Sequence, residues 1–391
     1  MPDAIEPVSY ALATRDPDAF VRRFAGSFER YGFAVVSDHE LPQELIDDCL
    51  DRFRKFFARD ESFKRRYHVA GIGGARGYTP FGIETAKGAT HHDLKEFWQV
   101  GRELPPGHRY RSTMPDNVWI EGDPGFRSAA LELWESFDRM GRKLLEPIAT
   151  YLELERHWFD DKVGEGNSVL RVIHYPPLEE GASGVRAGAH EDINVITLLL
   201  GAEEGGLELL DRNGRWLPVN PPPGTLVCNV GDMLQRLTNH VLPSTTHRVV
   251  NPTGERARRP RYSMPFFLHF NSDFPIATLP SCVGPDRADR YPDPILADDY
   301  LRQRLREIKL LYEASPGGEA LFLLLDDERG EVHRAAPVEP QLPRTRHAHA
   351  GLHRRAGPAR GRESALADRP RERGAPLRAA DRSVRGHRAG A

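Results

Sequence analysis

The residues best suited to chemistry are His190 and Asp192, separated by Glu191 just ahead of the apolar run INVITLLL, and His247, 55 positions after Asp192. In a strand, alternate side chains share a face, so His190 and Asp192 are expected to point the same way from one strand end. A later antiparallel strand returning alongside would bring His247 as a third ligand for the same metal. Two imidazoles and one carboxylate on one face of an octahedron suit iron(II) and leave three positions open. A bidentate 2-oxo acid can take two of them and dioxygen the third. A lone His-x-Asp means little in a chain with 16 histidines, so the weight comes from the parts that accompany it.

A bound 2-oxo dicarboxylate needs a cation for its far carboxylate. Arg261 and Ser263 supply a guanidinium fork and a hydroxyl on one face of the run RYSMPFF. Tyr175, in RVIHYPP, is placed to add a phenolic hydrogen bond from a facing strand. Arg256, Arg258 and Arg259 compete with Arg261 for this role, but only Arg261 has the Arg-x-Ser spacing that leads into an apolar strand. Arg186, Phe266, Leu268 and Asn271 are candidate substrate-lining residues. The cluster His91, His92 and Asp93 lies in a Gly-rich region with no strand to arrange it. His240 reads as a loop histidine, and Gly205 and Gly206 as a tight turn rather than a phosphate loop.

The elements that must position these residues change character along the chain. GFAVVSDH reads as a short buried strand, followed by an amphipathic helix carrying Leu45, Ile46, Cys49, Leu50, Phe53, Phe56 and Phe57. Residues 68–90 read as a Gly-rich loop. A long helix over 126–151 shows an apolar stripe of Leu133, Trp134, Phe137, Met140 and Leu144. After Asn167 come short β-rich runs separated by turn residues: VLRVIHY, INVITLLL, GLELLD, GTLVCNV, HRVVN and RYSMPFFLHF. Such spacing predicts an antiparallel jelly-roll. A helix over 296–311 is expected to pack on its outside.

The segments NSVLRVIHYPP, GVRAGAHEDINVITLLL, STTHRVVNP and RYSMPFFLHF resemble the isopenicillin N synthase-like branch of the 2-oxoglutarate/Fe(II) dioxygenases, in its bacterial form. GFAVVSDH, ARGYTPFGIETAKG and DLKEFWQVGRELPPGH are similar to the family's N-terminal region, so the likeness spans about residues 5–311. It implies a double-stranded β-helix (jelly-roll) core, mainly β with flanking helices, and an α/β N-terminal region. It also implies iron ligands at His190, Asp192 and His247, and a 2-oxoglutarate anchor at Arg261 and Ser263 with help from Tyr175. The cofactors implied are Fe(2+), 2-oxoglutarate and O2, with ascorbate a candidate stimulant, and the reaction releases succinate and CO2 as a small organic substrate is hydroxylated, desaturated or cyclised. Two departures stand out. The gap of 14 positions from His247 to Arg261 is long for the family, and Ile173-His174-Tyr175-Pro176 replaces the Asn-Tyr-Tyr-Pro common in plant members. Competing readings are fragmentation of 2-oxoglutarate to ethylene, an oxidase needing no 2-oxo acid, and a jelly-roll that binds a metal or metabolite without turnover.

Composition sets the outer bounds. With 391 residues, 39% hydrophobic, the chain can bury a sizeable core. No run approaches the roughly 18 apolar residues of a membrane span, and the N-terminus lacks a signal pattern, so a soluble cytoplasmic protein without membrane partners is expected. Cys49, Cys228 and Cys282 are too few and too scattered for a disulfide framework or a thiolate zinc site. Residues 331–391 hold 14 of the 54 basic residues and 6 of the 57 acidic ones, leaving 40 basic against 51 acidic in 1–330. That acidic body makes a poor nucleic-acid binder. The expected division is an N-terminal region over 1–120, a dioxygenase domain over 121–311 and a low-complexity extension over 312–391 with no core of its own. Oligomeric state is left open.

Overall fold

The computed structural model describes residues 5–84, 92–178, 183–200 and 205–307, all within the first of two compact units, Met1–Arg334. The extension over 312–391, like His91, lies outside the described residues. Twelve strands carry the argument: β1 (Pro7–Ser9), β2 (Phe33–Ser37), β3 (Gly77–Thr79), β4 (Glu96–Gly101), β5 (Val169–Tyr175), β6 (Ala187–His190), β7 (Ile196–Leu200), β8 (Leu207–Leu210), β9 (Trp216–Pro218), β10 (Leu226–Val230), β11 (His247–Val249) and β12 (Arg261–Leu268). The helices are α1 (Leu12–Arg15), α2 (Pro17–Tyr31), α3 (Gln43–Phe57), α4 (Glu61–Arg65), α5 (Pro124–Tyr151), α6 (Asp160–Val163), α7 (Asp232–Leu237) and α8 (Ala297–Glu307).

The helices begin where the local chemistry allows. Asp16 caps α2 by accepting from the Ala19 N–H, and Asp123 caps α5 by accepting from that of Phe126. A proline follows each cap, with its φ already set for a first turn. Gly32, at φ 68°, ends α2 in the left-handed conformation and turns the chain into β2.

An eight-stranded sheet runs β1-β2-β10-β7-β12-β5-β4-β3, and a four-stranded sheet runs β6-β11-β8-β9. Pairing is antiparallel except between β1 and β2. This is the expected jelly-roll. Strands from 1–120 occupy both edges of the large sheet, β1 and β2 at one and β3 and β4 at the other, hydrogen-bonded to strands from 121–311. Backbone groups at an open sheet edge need partners, so the N-terminal region completes the core sheet instead of standing apart.

One face of the large sheet meets the helices. Phe266 of β12 stacks on Phe137 of α5 at 5.4 Å between centroids and meets Trp134 edge-on at 5.6 Å. A Cβ at Gly141 would lie 2.5 Å from Leu268 Cδ1, so the end of the Leu268 side chain occupies the space that glycine leaves on α5. On the other side a smaller apolar cluster, including Phe33, Val227, Leu207, Leu209 and Val249, joins β2 and β10 to the four-stranded sheet. Cys49, Cys228 and Cys282 are all free and buried.

Candidate functional site

The two histidines meet across one ladder. β6 pairs antiparallel with β11, His190 and His247 are register partners, and their ring centroids are 4.4 Å apart. Asp192 arrives differently from the expectation. It lies just past the end of β6, in the segment crossing from the small sheet to β7 of the large one, so strand alternation does not aim it. Backbone hydrogen bonds fix that crossing: the Asp232 N–H donates to the Asp192 carbonyl (2.7 Å), and the Gly231 N–H to that of Val195 (2.9 Å). Asp192 Oδ1 then stands 3.8 Å from Nε2 of both His190 and His247. One ligand atom from each of the three residues lies within 4.8 Å of the others.

Protonation follows from the neighbours. Nδ1 of His190 is 2.8 Å from the Gly188 carbonyl and Nδ1 of His247 is 3.1 Å from that of Thr245. A carbonyl can only accept, so each Nδ1 carries a proton, and in the neutral ring that leaves the Nε2 lone pair facing Asp192. Asp192 Oδ2 accepts from Thr197 Oγ1 (2.5 Å) and Asn229 Nδ2 (2.7 Å), which orients Oδ1 toward the imidazoles. Burial acts to raise the Asp192 pKa, but His247, His190 and these two hydrogen bonds hold it below the ordinary value. Burial and His190 push His247 down, against the pull of Asp192. Two imidazoles with one carboxylate form a donor set that fits Fe(2+).

The residues expected to hold the 2-oxo acid lie on β12 and β5. Arg261 and Tyr175 are register partners, with Arg261 Cζ 4.9 Å from the phenol centroid. Arg261 and Ser263 are buried and line a cavity of about 580 Å³. Arg256, Arg258 and Arg259 lie outside that cavity's wall, Arg256, Arg258 and Arg259 being on the 3-10 turn and its end just ahead of β12, which separates Arg261 from its three competitors. Arg186 is buried as well, its Cζ 5.8 Å from the Tyr175 centroid and its Nη2 donating to the Arg259 carbonyl. It belongs with Tyr175 and is not on the wall of the metal cavity.

A cavity of about 370 Å³ opens on His190 and Asp192, and β12 contributes Phe267 to it, with His269 just beyond the strand. Here three sequence expectations are corrected. Phe266 and Leu268 belong to the helix-packed core on the opposite face. Alternation from Arg261 and Ser263 leads to Phe267 and His269, so the period-two rule, continued along β12, reaches two residues of this cavity's wall. Asn271 is structural: its side chain accepts from the Glu165 N–H (2.7 Å) and donates to the Asp161 carbonyl (2.8 Å).

The region read as a plain loop also contributes: Ile72, Arg76 and Glu84 line the cavity. Lys95 Nζ joins Glu84 (2.7 Å) to Asp93 (2.8 Å), and Arg171 reaches Glu84 at 3.2 Å. No spacing rule joins these positions in sequence. Helix α8 does not sit wholly outside, since its Leu301, Arg304 and Leu305 reach the cavity wall. His240, at φ 65°, stacks on Tyr291 and is apart from the metal cluster.

Comparison with known proteins agrees with this architecture. Residues 166–270 match the 2OG-Fe(II) oxygenase superfamily, and residues 6–122 match the N-terminal region described for the non-haem dioxygenase in morphine synthesis. A 2-oxoglutarate-Fe(II) type oxidoreductase, hxnY, of Emericella nidulans is 33% identical over 293 residues, covering 72% of this chain and 82% of that protein. The crystal structure of a 2OG-Fe(II) oxygenase family protein from Caulobacter crescentus is 60% identical with a TM-score of 0.74, covering 78% of this chain and 99% of that one. A full-length Neurospora crassa protein, crystallised in complex with alpha-KG, is 27% identical with a TM-score of 0.69, covering 78% and 99%. The chain belongs to the 2OG-Fe(II) oxygenase superfamily, in its isopenicillin N synthase-like branch. It is an oxidoreductase of the kind that uses Fe(2+), 2-oxoglutarate and O2. Among the described residues, no helix is long and apolar enough to cross a membrane.

Proposed function

We propose that His190, Asp192 and His247 hold the iron, that Arg261 and Ser263 with Tyr175 receive the distal carboxylate of 2-oxoglutarate, and that a small organic molecule is oxidised in the cavity beside His190. The observation that carries this reading is Asp192 Oδ1, 3.8 Å from two Nε2 lone pairs whose Nδ1 protons are held by backbone carbonyls. When bound, iron(II) supplies activation of O2 coupled to loss of CO2 from 2-oxoglutarate. The protein's part is positioning. Asn229 and Thr197 fix the carboxylate, Gly188 and Thr245 fix the imidazoles, and the guanidinium of Arg261 orients a dicarboxylate by its far end. Burial pushes His269 down to about 4, so at neutral pH it adds no positive charge beside the metal. Phe267, Ile193 and Leu301 keep much of the wall apolar, which limits water at the reacting carbon.

The acidic body, 51 acidic against 40 basic residues in 1–330, favours a cytoplasmic enzyme of small molecules over a nucleic-acid or membrane binder. The test is anaerobic titration of the Fe(II)-loaded protein with 2-oxoglutarate. Wild type is expected to bind one iron and one 2-oxoglutarate, and Arg261→Ala to weaken the 2-oxo acid by roughly 10- to 100-fold, the effect of one charge-assisted hydrogen-bonded pair. Stoichiometric iron without 2-oxoglutarate binding would instead favour an oxidase that needs no 2-oxo acid.

A further inference from the structure

Most charges around the cavity beside His190 are matched, but among the described residues Glu191, which accepts from Thr246 Oγ1, and Arg76 are in no ion pair. Glu84, Asp93, Lys95 and Arg171 neutralise one another, and Arg304 pairs with Asp232 at 3.1 Å and Glu307 at 2.6 Å. Arg76 lines the same cavity, is 1% exposed, and forms no ion pair among the described residues. Its Nη1 donates to the Ala75 carbonyl (2.7 Å) and its Nη2 to Asn167 Oδ1 (2.9 Å), while Nε has no acceptor. The carboxylate that offsets its burial, Asp116, is ion-paired with Arg111 at 2.6 Å. A buried cation without a counter-charge is costly unless something supplies one.

The fold makes room for this cation. A Cβ at Gly101 would stand 2.0 Å from Arg76 Cζ, so only glycine leaves space for the guanidinium against β4. Asn117 holds that backbone in place, accepting from the Gly101 N–H and donating to its carbonyl, each at 2.8 Å. Burial lowers the Arg76 pKa to about 10, which still leaves it charged at neutral pH. Asn167, Gln99 and the neutral His269 add polar groups to the wall, and Val169, Phe267, Leu301 and Leu305 add apolar ones. Arg261 lines the larger cavity, so Arg76 is a second buried guanidinium, on a different stretch of wall.

We propose that the primary substrate is an organic acid whose carboxylate is received by Arg76 and whose carbon body lies against the apolar wall leading to His190 and Asp192. This rests on the oxygenase reading above. It adds a second carboxylate receptor to that site, distinct from the one at Arg261.

The test is anaerobic calorimetry on the full chain loaded with Fe(II) and 2-oxoglutarate, titrated with aliphatic and aryl monocarboxylic acids, each beside its own primary amide. At least one acid is expected to bind at least about tenfold more tightly than its amide, the margin of one charge-assisted hydrogen bond. Arg76→Met should erase that preference and leave 2-oxoglutarate affinity unchanged, while Arg261→Met should do the reverse. Arg76→Lys, which keeps the charge and loses the fork, should retain the preference at reduced affinity. Acids and amides binding equally to wild type, no acid binding where 2-oxoglutarate does, or loss of 2-oxoglutarate binding in Arg76→Met would each overturn the assignment. Because the wild-type comparison needs no variant, it decides even if Arg76→Met fails to fold. Wild type that binds no 2-oxoglutarate at all would overturn the oxygenase reading itself, a different result from any of these.

Discussion

The two faces of β12 are made from one eight-residue strand and do unlike work. Tyr262, Met264, Phe266 and Leu268 pack toward the helices, where Phe266 lies flat on Phe137. Arg261 and Ser263, with Tyr262 and Met264 of the first face, reach the wall of the larger cavity, and Phe267, with His269 just beyond the strand, lines the cavity beside His190. The apolar face is filled by interlocking rings, so its contribution is to stability. The other face brings the buried polar groups of Arg261, Ser263 and His269 to cavity walls. One residue of register thus separates a position in the helix-packed core from one on a cavity wall.

This comparison can be broken or sharpened by substitution on each face. The largest effect is expected at the metal cluster: Asp192→Ala should abolish stoichiometric iron, measured by metal analysis of protein loaded under anaerobic conditions, because two neutral imidazoles alone lack the charge and the third donor. Next, Phe266→Ala should lower the unfolding free energy by about 3–5 kcal/mol, with Phe267→Ala losing less than half as much, by chemical denaturation. Equal losses would mean that the two faces are not divided as described.

Acid should expose the third difference. His269 has its folded pKa depressed from 6.5 to about 4 by burial, with Asp192 opposing and Arg76 reinforcing the shift. A group depressed in this way contributes fully above pH 6.5, and its contribution is lost as pH falls toward 4, because the unfolded chain takes up the proton first. The loss is expected to reach about 3 kcal/mol, and His269→Phe should remove that part of the acid-side slope. The smallest effect is expected at Asn229, whose replacement by alanine frees Asp192 Oδ2 from one donor and should weaken iron about 10- to 100-fold with no change in fold by circular dichroism.

Much of this is legible in order along the chain. The long helix expected over 126–151 corresponds to α5, Pro124–Tyr151, and the apolar runs after Asn167 correspond to β5, β7, β8, β10, β11 and β12. These are local properties, set by periodicity and by Gly, Pro and Asp at the ends of elements. Spacing brings His190, Asp192 and His247 under consideration together, and the structure places them side by side, though Asp192 comes by another route than strand alternation. Phe266 and Leu268 are chosen for their size and apolar character, yet size does not distinguish a core face from a cavity face, and counting by twos from Arg261 does.

By itself, then, the sequence determined the kinds of element, the donor residues for a metal and the family resemblance, because each depends on residue type and short spacing. Only the tertiary structure decided that Asp192 is aimed by the crossing between two sheets, with Asp232 and Gly231 holding the turn. It alone joined Arg76, Glu84, Lys95 and Arg171 to the same cavity, brought α8 to that wall, and made β1 to β4 the edges of the core sheet. Those relations are contacts between residues far apart in the chain, and they exist only once backbone pairing and core packing have fixed where each segment lies.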